Sequence, residues 1–114
     1  MVKQLPQTFG LLSEKTPFQN YTVTIYRYRN RNVGNGGYDT IRSVKAMSID
    51  NLRKALIAEF KGDEVSIEVE RRTARKNRFV GTLEIDTIPG AFPKWQIAGK
   101  NAWSKVDPQT GALI

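Results

Sequence analysis

The chain has 114 residues, of which 39% are hydrophobic and 10% aromatic, enough for one compact domain and too few for two well-packed cores. Its 18 Lys and Arg outnumber its 11 Asp and Glu, and the resulting formal charge of +7 attracts phosphates, anionic lipid or an acidic protein surface. Because Cys and His are both absent, the sequence excludes disulfide bonds, zinc sites of Cys or His type, and catalytic Ser-His-Asp or Cys-His groups.

Residues 1–19 are predicted to form an N-terminal arm, because Pro6, Gly10 and Pro17 interrupt any regular period. The opening segment lacks the features of a signal peptide, and no apolar run reaches the about 18 residues that a membrane span requires. We therefore expect a cytoplasmic protein, in the host cell if the source is a virus, with no membrane partner.

A single domain is predicted over residues 20–114, and it begins with a hairpin. In the first strand the residues alternate between two faces: Tyr21, Val23 and Ile25 on one, and Thr22, Thr24, Tyr26 and Tyr28 on the other. The segment NRNVGNGG favours positive φ angles and a turn, and YDTIRSVKAM returns as the second strand.

The segment IDNLRKALIAEFK predicts a helix. Ser48 is placed as its N-cap and Gly62 as the left-handed residue after its end. One side of this helix carries the apolar residues Ile49, Leu52, Ala55, Leu56 and Phe60 at helical spacing.

A second hairpin is predicted from EVSIEVER and FVGTLEID, which are joined by the basic segment RRTARKNR. Matching the apolar faces sets Ile67 opposite Leu83 and Val65 opposite Ile85, with Phe79 on the same side as Leu83. This pairing makes the other face acidic, with three opposing pairs: Glu64 with Asp86, Ser66 with Glu84, and Glu68 with Thr82.

The tail, KWQIAGKNAWSKV followed by DPQTG, predicts a small C-terminal hairpin. Trp95 and Trp103 either complete a small core or offer further stacking surfaces. The order of elements predicts an α+β fold: a mostly antiparallel sheet in β-β-α-β-β order, one helix packed on one face, and the small C-terminal hairpin.

The first candidate site lies on the first hairpin. If Tyr26 and Tyr28 point away from the helix, their rings can stack on bases while neighbouring arginines hold phosphates. The arginines are Arg27, Arg29 and Arg31. Alternatively, the tyrosines support the hairpin as cross-strand partners, or pack beneath the arm or the C-terminal hairpin.

The second candidate site is the segment RRTARKNR, which carries Arg71, Arg72, Arg75, Lys76 and Arg78. These charges repel one another, and a phosphate backbone would relieve the repulsion. Short basic runs are also common at solvated turns, so the sequence leaves both interpretations open.

The predicted topology separates the two basic turns by roughly 30 Å, because strands on either side of the helix connection run in the same direction. A ligand then either crosses the sheet from one turn to the other, or a symmetric homodimer brings turns together.

The sequence favours a non-enzymatic protein that binds nucleic acid, preferentially single-stranded, with little sequence specificity. No catalytic residue or cofactor is predicted, because the chain lacks the His and Cys that general acid-base and nucleophilic sites most often use. The clustered carboxylates of the second hairpin could bind a divalent ion, but no metal is predicted, because they lack the spacing of a known oxygen-ligand loop. The size and composition would suit a viral or mobile-element protein. The alternative is a small protein-binding module, such as an inhibitor, adaptor or virion component, that docks its basic turns on an acidic partner.

Overall fold

The computed structural model describes residues 18–28 and 37–114, except for the side chains of residue 28 and residues 37–39. The predicted arm therefore lies almost wholly outside the described residues. Within the described ranges the elements are β1 (Gln19–Tyr28), β2 (Gly37–Ala46), α1 (Ile49–Glu59), β3 (Val65–Arg72), β4 (Asn77–Ile85), β5 (Lys94–Ile97) and β6 (Trp103–Lys105).

These strands form one sheet in the order β2-β1-β3-β4-β5-β6, and every neighbouring pair is antiparallel. The predicted α+β fold, with a single helix and an antiparallel sheet in the described ranges, is confirmed. Because β2 and β3 both pair antiparallel with β1, they run in the same direction. β1 therefore ends, and β2 begins, at the end of the sheet opposite the β3–β4 connection. The hairpin of β5 and β6 extends this sheet beyond β4.

The core lies between α1 and one face of the sheet. Alternation along β1 buries Tyr21, Val23 and Ile25, and the same alternation along β3 buries Val65, Ile67 and Val69. Residues between them point away from the helix and form what we call the outer face: Thr22, Thr24, Tyr26, Ser66, Glu68, Glu70, Thr82 and Glu84.

The helix begins where the sequence predicts. The Ser48 side chain accepts a hydrogen bond from the Asn51 backbone N–H at 3.1 Å, and Gly62 has a φ of 88° beyond the helix end. The apolar face is rotated from its predicted position, because Ile57 is buried and Ala55 is exposed. The burial of Arg53 on this face is a second departure from the sequence pattern.

The register of the second hairpin matches the prediction: Ile67 pairs with Leu83 and Val65 pairs with Ile85. The expectation for Phe79 was wrong. The register shifts between Val69 and Glu70, so that Glu70 pairs with Phe79. This β-bulge leaves Phe79 45% exposed and turns Val80 toward the core instead.

The tail completes the core through one of its two tryptophans. Trp95 is 2% exposed and packs against Gly81, where an added Cβ would collide with the Trp95 ring. Trp103 remains 39% exposed. Val106 is fully buried and bridges to Leu113, which brings the end of the chain back to the sheet. None of the helices in the described ranges is long and apolar enough to cross a membrane.

Candidate nucleic-acid interface

The β3–β4 connection gathers positive charge at one end of the sheet. All five basic residues predicted for it are exposed: Arg71, Arg72, Arg75, Lys76 and Arg78. β2 adds Lys45, because Lys45 pairs with Asn20 and Asn20 pairs with Arg72 across β1. We call these six residues the basic end. Sequence reasoning missed Lys45, because only strand order shows that β2 and the β3–β4 turn share this end.

The turn that carries these charges is held by its own hydrogen bonds. The Thr73 N–H donates to the Lys76 carbonyl oxygen at 2.9 Å, and the Thr73 hydroxyl donates to the same oxygen at 2.7 Å. The Lys76 N–H in turn donates to the Thr73 hydroxyl at 3.2 Å. A threonine that closes the turn in this way fixes the backbone from which Arg75 and Lys76 project.

Within the described residues, the charges of the basic end have no acidic partners. Arg71 and Arg78 stand directly opposite each other in the β3–β4 pair, a placement that is unfavourable for like charges. Among the described residues, ion pairs join Arg42 to Glu59 and Arg53 to Asp50, and both pairs lie away from the basic end. Arg72 has only a marginal contact of 3.5 Å with the Ser43 hydroxyl. An anion bound here would therefore relieve repulsion.

The first candidate site, on the hairpin of β1 and β2, is only partly covered by the described residues, and its described side chains do not cluster. Arg29 and Arg31 lie outside those residues, and so does the Tyr28 side chain. Tyr26 is on the outer face, where its hydroxyl donates to Glu68 Oε1 at 3.1 Å. Arg27 is on the helix side, with its Cζ 5.1 Å from the Phe60 ring centroid. Tyr26 and Arg27 thus lie on opposite faces of the sheet.

The outer face carries negative charge between the two ends of the sheet. Glu68 lies diagonally across the β1–β3 pair from Tyr26, and Glu84 lies opposite Ser66 on β4. A nucleic acid crossing this face from one turn to the other would pass these carboxylates. Electrostatics therefore favours contact at the basic end over a path across the sheet.

The described residues include no group of three or more His, Cys, Asp or Glu side chains placed to hold a metal ion. The chemical capacity of the basic end is anion binding by exposed guanidinium and ammonium groups.

Comparison with known proteins adds no relative: no protein-family model, curated protein or solved structure matches the chain.

Proposed function

We propose that this protein is a non-enzymatic nucleic-acid-binding protein that favours single strands, and that its basic end holds the phosphates. The observation that carries the proposal is the pair Arg71 and Arg78, two exposed guanidinium groups opposite each other with no acidic partner among the described residues. Side chains that contact phosphates position a strand without reading its bases, so little sequence specificity is expected.

The proposal places phosphate binding at one end of the sheet. The path from one turn to the other is disfavoured by Glu68 and Glu84 on the outer face. A stacking role for Tyr26 stays a prediction. Phosphate binding at the basic end does not depend on that role.

The test is a titration of a labelled single-stranded oligonucleotide of about 20 nucleotides at two ionic strengths. The double variant Arg71→Gln with Arg78→Gln should bind at least about tenfold more weakly. The logarithm of its binding constant should also fall less steeply with the logarithm of salt concentration, by about 0.7 for each phosphate that is no longer neutralised. The control variant carries Lys61→Gln and Lys94→Gln, which remove the same charge from exposed positions outside the basic end.

Two results would count against the proposal. Absence of binding by the unaltered protein at low salt would eliminate nucleic acid as the ligand. Equal weakening in the test and control variants would mean that net charge, and not the basic end, governs affinity.

The second candidate function is binding to an acidic protein surface. The division of charge between the basic end and the outer-face carboxylates Glu68, Glu70 and Glu84 favours it, because opposed charge zones orient protein partners. Ile41, which is 70% exposed on β2, would add apolar contact area. A protein that fails to bind oligonucleotides at low salt would leave this function as the better explanation of the basic end.

A further inference from the structure

A groove opens on the helix side of the sheet next to the basic end. Tyr21, which is 3% exposed, lies in its floor with Ile49 and Val80, both of which pack partly buried against the core. Met47 and Ile97 belong to its lining and remain 52% and 46% exposed. The groove therefore combines an apolar floor with apolar side chains that still face solvent.

The charge of this groove is all of one sign. Arg71 and Arg78 both line it, and Arg71 is the direct cross-strand neighbour of Tyr21. No Asp or Glu is found among the described residues of the lining. An apolar surface lined by two exposed guanidinium groups suits a ligand in which a flat apolar group is joined directly to an anionic group.

We infer that this groove seats one base of a bound single strand, while Arg71 and Arg78 hold the adjoining phosphate; this inference rests on the proposed function. A nucleotide has the required chemistry, because a base presents an apolar face and its phosphate carries the charge next to it. Residues directly opposite each other on paired strands lie about 5 Å apart, close enough for both guanidinium groups to reach one phosphate. A base in a duplex remains stacked in its helix, so a groove that seats one base would favour single strands over duplex.

The experiment compares two labelled strands of equal length, about 20 units each: one with mixed bases, and one built entirely of stable abasic sugar-phosphate units. The unaltered protein should bind the base-bearing strand about tenfold more tightly. Met47→Ser together with Ile97→Ser should abolish this difference and leave the affinity for the abasic strand unchanged. Both side chains are about half exposed, so the changes should not unfold the protein.

The matched control replaces two apolar residues that do not line the groove, Ile41→Ser and Ile88→Ser, which are 70% and 61% exposed. It should keep the preference for the base-bearing strand. If the unaltered protein binds neither strand at low salt, the proposed function itself fails. If it binds both strands equally, or if the groove variant keeps its preference, the base seat is wrong and phosphate binding at the basic end stands.

Discussion

Arg53 is a cation held inside the core of this protein, at 3% exposure. Its Nε donates to the Gly111 carbonyl oxygen at 2.7 Å, its Nη2 donates to Asp50 Oδ1, and its Cζ lies 4.9 Å from the Trp95 ring centroid. Burial lowers the pKa of Arg53, although the Asp50 carboxylate opposes this shift. Since an arginine remains protonated at neutral pH, these partners offset the cost of desolvating its charge. Arg53 thus connects α1 to the C-terminal turn, residues 107–111, in which the Gly111 N–H donates to the Asp107 carbonyl oxygen at 2.7 Å.

The close approach of that turn makes Gly111 sensitive to substitution. Its φ is 76°, and an added Cβ would lie 2.8 Å from the Lys54 backbone nitrogen and collide with the Asp50 carbonyl oxygen. Gly111→Ala should therefore lower the free energy of unfolding by more than the about 1–2 kcal/mol that the left-handed conformation alone costs. Urea denaturation measures this loss.

Gly90→Ala is the matched control, because Gly90 has a φ of 81° and no atom of the described residues within 4 Å of an added Cβ. It should show the conformational cost alone. Equal losses in the two variants would mean that the C-terminal turn moves away without cost, contrary to a tight contact with α1.

At the scale of elements, α1 is joined to the edge strand β2 by a bidentate ion pair. Arg42 donates to the two Glu59 oxygens at 2.8 and 2.5 Å, and its Cζ lies 5.5 Å from the Phe60 ring centroid. The hydrogen bond from Arg42 is the main cause that lowers the pKa of Glu59. The Arg42 guanidinium group covers the ring of Phe60, which is buried in the core next to the helix end.

This pair should make stability depend on pH in a defined direction. Because the Glu59 pKa is lowered on folding, the pair stabilises the protein fully above the unfolded pKa of about 4.3 and loses its effect as the pH falls through the folded pKa. Glu59→Gln should cost less than about 1 kcal/mol at pH 7, since both side chains are more than one third exposed.

Urea denaturation across a pH series checks this expectation. The difference in unfolding free energy between the unaltered protein and Glu59→Gln should shrink below pH of about 4.3. A difference that stays constant down to acid pH would show that the carboxylate charge of Glu59 has no part in stability.

For the molecule as a whole, we propose that the position of the charges governs ligand binding more than the net charge does. The formal net charge is +7, yet the carboxylates Glu68 and Glu84 lie on the outer face, while the basic end has no acidic partner in the described part of the chain. At physiological salt the Debye length is about 8 Å, so a ligand at the basic end senses mainly its nearest charges.

Removing the charges of Glu68 and Glu84 tests this view, while Glu70, the outer-face carboxylate next to the basic end, stays in place. Glu68→Gln with Glu84→Gln removes two negative charges and takes the formal charge from +7 to +9. If binding is local to the basic end, oligonucleotide affinity at physiological salt should change by less than about threefold. A much larger increase would show that the ligand lies on the outer face or responds to the net charge.

How far the sequence predicts the structure depends on the range of the interactions involved. The β3–β4 register follows from matching two alternating apolar patterns, and the helix start follows from Ser48, because both depend on residues close together in the chain. The exposure of Phe79 does not follow from its segment, since the β-bulge interrupts the alternation. The burial of Arg53 does not follow from its segment either, because a charged residue on a helix is ordinarily expected at the surface.

By itself, the sequence determined the net charge, the exclusion of Cys and His chemistry, the basic segment at residues 71–78, and the strands and helix that carry it. These are properties of composition and of local pattern. Only the tertiary structure decided that Lys45 joins that segment, and that a groove opens beside Arg71 and Arg78. Both depend on β1 lying between β2 and β3, because this strand order brings Lys45 to the end that carries Arg72 and sets Arg71 beside Tyr21.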